Sequence, residues 1–477
     1  MLMRELTIVV SCLLCAACAK IAQSRHERIQ KSTIDKEDPL KAFALSLLAL
    51  SPKVSGSVAG QMHRHGGNVN SQSGRILGSL NVEMKEGIEP ASEVSGDEAF
   101  SDWAPSMLDI PLDRRSALVF GAALAQLVPD VALKPALAAE DDIEYTIPMA
   151  KLTASLATVP VREVVITGCN SGVGLAGAKI LTAAGHHVIC ACRDQAKANA
   201  AAEACMAYAA SANLRSGGTA RGAECDLSSL ASVRAFAKSL EDSKIDTLVL
   251  NAGLSRGVNE KTPSRTAEGF EETIGVNHLG HFLLANLLAP ILAKSSKPRI
   301  VVTASPVHDP TSGGGNVGST ATLGDLSGLA SGATFEMVDG GVYDPDKAYK
   351  DSKLCNMMFM AEAARQFASK GISVNAFSPG LIADPNGFFR NQNKLFATAF
   401  NAITKVVGVA ESNEFGGSGL AYLAVDTAVE ESTGKWFDSL PPGKHQLAVH
   451  PPSEEARSIE SQKKLWSLSS GLVGLAA

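Results

Sequence analysis

Two Tyr-x-x-x-Lys spacings lie close together in the chain, Tyr343…Lys347 and Tyr349…Lys353. A separation of four puts two side chains on one face of an α-helix, so either pair could set an ammonium beside a phenol. A free phenol titrates at about 10 and is a poor proton donor or base at neutral pH; a neighbouring ammonium favours the phenolate and brings the group into range for acid–base work. Tyr343…Lys347 contains Pro345, which is expected to break the helix the pair needs. Tyr349…Lys353 instead opens a helical run through Phe367. Tyr349 and Lys353 are therefore the expected catalytic pair. A lone pair of this kind is more often an exposed helix face, so the assignment depends on companions.

The companions are strands that end in polar or glycine-rich turns. Glu163–Thr167 has the β-branched character of a buried parallel strand and runs into Gly168-Cys169-Asn170-Ser171-Gly172-Val173-Gly174, followed by the helical pattern Leu175–Ala184. Gly168 is expected to permit the tight turn, Gly172 to let backbone approach a pyrophosphate, and Gly174 to allow close helix packing. Asn170, Ser171 and Val173 complete a turn whose helix offers free N–H groups to phosphate. The strand His187–Cys192 ends at Arg193, where an acidic residue would bind the ribose 2′-hydroxyl of NAD and an arginine the 2′-phosphate of NADP. Arg193 thus points to NADPH, although Asp194 stands beside it. A third strand ends at Cys225-Asp226-Leu227, with Asp226 and Leu227 expected near the adenine, and the strand Thr247–Leu250 runs into Asn251-Ala252-Gly253, also assigned to the cofactor. Asn277 lies in a segment, Val276–His281, that opens or interrupts a long apolar helix, and the strand Arg299–Thr303 ends at Ala304-Ser305. This order predicts an α/β fold, a doubly wound parallel sheet with helices on both faces and ligand beyond the carboxyl ends of the strands.

The 477-residue chain is 45% hydrophobic and 19% charged with a formal net charge of -6, a globular composition with no basic stripe for nucleic acid. Of nine cysteines, Cys12, Cys15 and Cys18 fall in an apolar N-terminal run; the other six lie in or beside predicted strands and helices and read as buried free thiols in a reducing compartment. His278 and His281 have no third ligand spaced to join them, so no metal is expected. Residues 1–20, with Arg4 before the apolar Leu6–Ala19, read as a signal peptide, and 21–150 as a transit leader. In that leader a second apolar segment, 117–139, follows Arg114 and Arg115. The arrangement is similar to the compound presequences of proteins entering algal plastids. A twin-arginine thylakoid signal, or a helix packed on the domain, would give the same pattern. Residues 151–477 form the expected catalytic domain.

The GxxxGxG spacing is the version found in short-chain dehydrogenases, and from about Arg162 to Ala477 the chain more specifically resembles the light-dependent protochlorophyllide oxidoreductases, a plastid and cyanobacterial branch of that family. The resemblance rests on the long insertion between Ser305 and Tyr349 with Ser319–Leu329, on Lys347–Met357, on Phe388-Phe389-Arg390-Asn391, and on a tail containing Lys464-Leu465-Trp466 and Gly471–Leu475. It implies that Lys353 also holds the nicotinamide ribose, that Asn277 anchors a water linking the lysine to solvent, and that Ser305 orients the substrate. It further implies light-driven reduction of one ring double bond of a tetrapyrrole, protochlorophyllide, with hydride from NADPH and a proton from Tyr349. A large planar substrate would want a wide apolar cleft and a lid, for which 306–348 and 381–407 are candidates. Relatives that assemble on membranes with pigment leave peripheral thylakoid association and homo-oligomerisation open. The chain departs from the family at Ser378-Pro379-Gly380-Leu381, where the pattern is Tyr-Pro-Gly-Cys, and at Pro306-Val307-His308-Asp309. Two other readings follow from that: a light-independent NADPH carbonyl reductase of an apolar ketone or aldehyde, and a noncatalytic pigment- or NADPH-binding relative.

Overall fold

The structure, a computed structural model, describes residues 142–257, 259–384, 404 and 408–475. The signal and leader segments through residue 141, and most of 381–407 including Phe388–Asn391, lie outside the described residues.

The expected β-branched strands form as β2 (Glu163–Thr167), β3 (His187–Cys192), β5 (Thr247–Leu250) and β6 (Arg299–Thr303), while the third strand, β4 (Thr219–Glu224), is not β-branched and stops one residue before Cys225; β7 (Ser373–Phe377) follows later in the chain. With β1 (Tyr145–Pro148), β8 (Trp436–Ser439) and β9 (Gln446–Val449) they form a nine-stranded sheet of order β1-β9-β8-β7-β6-β5-β2-β3-β4. Pairing is parallel from β4 across to β8, while β9 and β1 add antiparallel strands at one edge. The winding reverses between β2 and β5, so a crevice opens beyond the carboxyl ends of those two strands. The strand β1 and helix α1 (Met149–Leu152), with Ile147 and Leu152 buried, belong to the folded body, so a boundary at 150/151 cuts through it.

Side chains alternate across the strands into two cores. On one face α2 (Gly172–Ala183), α3 (Gln195–Ala212) and α8 (Asn413–Val425) cover Val164, Ile166, Cys190 and Cys192. On the other, α4 (Leu230–Lys238), α5 (Glu272–Leu292), α7 (Pro345–Gln366) and α9 (Ile459–Leu472) cover Val165, Leu248, Ile300 and Val374. The family-like tail is core material: Trp466 of α9 stacks on Phe359 at 5.9 Å and meets Phe282 edge-on at 4.8 Å. Helix α5 is long and apolar enough to cross a membrane, yet 78% of its most apolar window is buried inside this protein. Its Gly275–Gly280 stretch is a π-helix, the interruption foreseen around Asn277.

Pro345 does not break a helix. It occupies the first turn of α7, where its missing N–H costs nothing, and Asp344 caps that turn by accepting from the N–H groups of Asp346 and Lys347. Tyr343 therefore precedes the helix, and the reason it does not face Lys347 is that the helix has not begun.

The 306–348 insertion, expected as a lid, is instead stapled to α7. Leu323, Leu326 and Val338, together with Leu329 of the short helix α6 (Ser327–Ala330), are buried in the core. Lys347 Nζ bonds Thr322 O at 2.7 Å, Asp351 at 2.6 Å and Asp339 at 3.0 Å. Asp351 accepts from Thr322 N at 3.0 Å, Asp346 from Ser319 N at 2.9 Å, and Lys350 Nζ donates to Ser319 O at 2.6 Å. Outside α7, Glu455 takes Leu323 N at 2.7 Å.

Candidate active site

The turn after β2 is shaped for an anion. Gly168 has φ +72° and Gly172 φ +58°, conformations that disfavour any side chain, and a Cβ on Gly172 would meet only Asn413 Oδ1 at 3.7 Å. Ser171 is the N-cap of α2 but makes no side-chain cap bond, so the first-turn N–H groups of that helix lack a capping side chain. Gly174 is where crowding is greatest. A Cβ there would stand 2.5 Å from both Asn251 Nδ2 and Gly168 O, so its small size serves the meeting of the turn with the end of β5. The helix packing expected of it falls to Gly177, whose Cβ would meet Leu420 of α8 at 2.8 Å.

Asn251 binds across to β2, donating from Nδ2 to Thr167 O at 2.9 Å. The hub of the site is Thr167, which the sequence reading treated only as the end of a strand. Its hydroxyl accepts from the N–H of Asn251 at 2.9 Å and of Ala252 at 3.0 Å, and meets His281 Nε2 at 2.9 Å. His281 Nδ1 lies 3.1 Å from Asn277 O, which can only accept, so Nδ1 carries the proton and Nε2 accepts from Thr167. Burial lowers the His281 pKa to about 3 and keeps the ring neutral for this role. His278 bonds Ser469 Oγ of α9 at 2.9 Å and is likewise held neutral by burial. Among the described residues no cluster of three His, Cys, Asp or Glu side chains could hold a metal ion.

Asn277 is fully engaged. Its amide accepts from Leu254 N at 2.9 Å and donates to Leu254 O at 2.9 Å and Ser352 Oγ at 3.0 Å. It fixes the chain after Gly253 against α7, and of its side-chain atoms only Oδ1, which accepts a single bond, retains a lone pair for a water. Gly253 leaves a gap here, since a Cβ would lie 3.5 Å from Asn277 Oδ1 and 3.7 Å from Lys353 Nζ.

Helix α7 sets Lys353 Nζ 5.6 Å from the centre of the Tyr349 ring, and the ammonium donates to Thr303 O at 3.3 Å. Burial, at 4% exposure, lowers Lys353 to about 8. Burial raises the half-buried Tyr349 above its ordinary value, with a hydrogen bond to Ser305 opposing the rise. The phenol is therefore held protonated. Ser305 caps a 3-10 turn, and His308 Nδ1 holds its carbonyl at 2.7 Å. Tyr349, Lys353, Ser305 and Asn277 are thus brought together at the mouth of the β2/β5 crevice.

Arg193 is exposed at the end of β3. Asp194, which had competed with it, is spent as the N-cap of α3 and as the partner of Lys197 at 2.5 Å. Asp226 accepts from Ser228 N at 3.0 Å, and Leu227 is buried under the crevice. Leu381, after Gly380 at φ +79°, is half-buried and accepts from Glu411 N at 2.9 Å.

A doubly wound sheet with a glycine turn after its first parallel strand, an Asn in the next helix, a Ser after β6 and a Tyr-x-x-x-Lys helix defines a short-chain dehydrogenase/reductase, a nicotinamide-dependent oxidoreductase. The family model for short chain dehydrogenase matches residues 162–343. The chloroplastic protochlorophyllide reductase of Marchantia paleacea is 39% identical over 343 residues, 69% of this chain and 70% of that protein. Its counterpart in Pisum sativum is 41% identical over 327 residues, 66% of this chain and 78% of the relative, and that of Chlamydomonas reinhardtii 39% over 330, 67% and 80%. The chain belongs to the protochlorophyllide reductase family.

Proposed function

We propose that this protein reduces a ring double bond of protochlorophyllide with NADPH in a light-dependent step of chlorophyll synthesis, within the plastid. The observation that carries the substrate is the identity of about four residues in ten with chloroplastic protochlorophyllide reductases over about two thirds of the chain. NADPH, when bound, supplies the hydride. The chain's own residues do the rest. The open backbone at Gly172 and the uncapped start of α2 receive the pyrophosphate, with Asn170, Ser171 and Val173 in the same turn, and the exposed Arg193 takes the 2′-phosphate. Asp226, Leu227 and the Asn251–Gly253 backbone line the adenine and ribose side. Lys353 holds the nicotinamide ribose and, as an ammonium, favours the phenolate that Tyr349 becomes after donating its proton. Ser305 orients both the Tyr349 phenol and the substrate.

Position 381 carries a leucine where the family pattern has a cysteine, and the proton source proposed is Tyr349. Residues 1–141 are proposed as the plastid-directing leader. The same proposal extends to peripheral association with the thylakoid and to self-assembly.

The test is an absorption spectrum of the full chain with NADPH and protochlorophyllide in darkness, repeated after a brief flash. A shift to the longer-wavelength chlorophyllide band only after the flash is the expected result. Turnover in darkness, or bound pigment that the flash leaves unchanged, would overturn it.

A further inference from the structure

One face of the cofactor half carries sulfur that the reaction does not use. Cys190 and Cys192 alternate onto the same side of β3, and Cys169 follows Gly168 in the phosphate-binding turn. All three, with Cys205 of α3, are packed in one cluster and are at most 2% exposed. The register explains the approach: Thr167 pairs with Ala191 and Gly168 N bonds Ala191 O at 2.8 Å, so the next residue of the turn lies against the end of β3. The Cys169 thiol interacts with those of both Cys190 and Cys192. All three are free thiols, and the cluster is not a site that could hold a metal ion. What a thiol in reach of two others can do is pair with one of them.

We propose that Cys169 and the β3 cysteines form a reversible dithiol–disulfide switch whose oxidation closes the phosphate-binding turn to the dinucleotide. The inference rests on the reading of that turn as the NADPH site. The reagent is a small disulfide or the disulfide of an exchange protein. A thiolate of Cys192 or Cys190, favoured by the hydrogen bond from the Cys169 thiol, attacks one reagent sulfur, giving a mixed disulfide and releasing one reagent thiolate. Cys169, whose thiol burial holds protonated at rest, then gives up its proton and displaces the second. Two electrons pass to the reagent, and the two thiol protons end on its sulfurs. The new bond would draw Cys169 toward β3. Gly168 and Gly172 hold positive φ on either side of it, and as glycines they let the turn follow that pull, out of the shape that admits a pyrophosphate.

Burial makes the reaction depend on transient opening of the turn or of α3, which covers the cluster with the small side chains of Ala198 and Ala201. Bound NADPH would lock the turn and slow oxidation.

The full chain, reduced and then incubated with oxidised glutathione with and without NADPH, is alkylated and mapped by peptide mass, and NADPH affinity is measured by nicotinamide fluorescence. Expected are a disulfide joining the Cys169 peptide to the β3 peptide, slower formation with NADPH present, and an affinity lowered about tenfold or more and restored by dithiothreitol. Cys225 and Cys355, buried outside this cluster, serve as internal controls. The double variant Cys190→Ala/Cys192→Ala should bind NADPH like the parent and no longer respond. No Cys169 disulfide, or a disulfide that leaves affinity unchanged, overturns the switch. Should the double variant fail to fold, the parent's disulfide map and its protection by NADPH decide alone. Reduced parent protein that fails to bind NADPH sinks the cofactor reading itself, a different outcome.

Discussion

The two halves of the crevice are held by different forces. On the β2–β5 side the parts meet through backbone and neutral groups: glycines at positive φ, the Thr167 hydroxyl bonded to two amides, and an imidazole kept uncharged by burial. On the α7 side the insertion is fastened by charge. Lys347 bridges Asp339 and Asp351, and Lys350 bridges Asp346 to the Val317–Ser319 backbone. Asp351 is fully buried and its carboxyl is raised to about 7, mainly by desolvation. A nucleotide site must present one fixed backbone shape to a phosphate, which local geometry can specify. A substrate site built from a long insertion must be tied to its scaffold by contacts distant in sequence. The cofactor side should therefore answer to volume, and the catalytic side to charge.

The largest effect should come from Tyr349→Phe, which removes the proposed proton donor. Flash-induced chlorophyllide formation should slow by ~10²–10⁴-fold while NADPH affinity is kept; equal turnover in the variant would end the assignment. Lys347→Met leaves the Asp351 carboxyl buried without its cation, and a loss of ~3 kcal/mol in denaturant unfolding is expected. In that variant turnover should fall and NADPH affinity hold, and a loss confined to NADPH binding would erase the distinction between the halves. Gly174→Ala drives a methyl into Asn251 and Gly168 O, costing ~1–3 kcal/mol and weakening NADPH without changing the flash yield at saturating cofactor.

The smallest effects are those of pH. His186 is lowered to about 4, and His278 and His281 to about 3, all by burial. The unfolded chain takes up their protons first, so the stability they confer is complete above about 6.5 and is lost as pH falls, at ~1.4 kcal/mol per pH unit for each. Asp351 runs the other way, its folded form gaining a proton below about 7 and offsetting one histidine down to about 4. Thermal melts should thus show net loss beginning below about 6.5, and a melting temperature flat to pH 4 would show the histidines to be accessible. On the alkaline side Lys353 loses its proton through about 8, so proton transfer should slow there while Tyr349 stays protonated. A rate unchanged to pH 10 would mean the ammonium does not assist.

The sequence by itself determined where β2, β3, β5 and β6 fall along the chain, the glycine turn, and the one-turn helical spacing of Tyr349 and Lys353. These are local: β-branched runs, residues that tolerate positive φ, and a four-residue helical spacing are written in consecutive positions. It also marked the insertion without showing what the insertion does. Only the tertiary structure decided that 306–348 is bolted to the catalytic helix, that Pro345 starts that helix, that β1 belongs to the sheet, and that Thr167 and His281 join the ends of β2 and β5 to Asn277. Each of these is set by partners far apart in the chain, such as Thr167 and His281 at 2.9 Å across 114 positions. Such a pairing leaves no periodicity in the sequence to read; it exists only once the sheet has brought the two elements together.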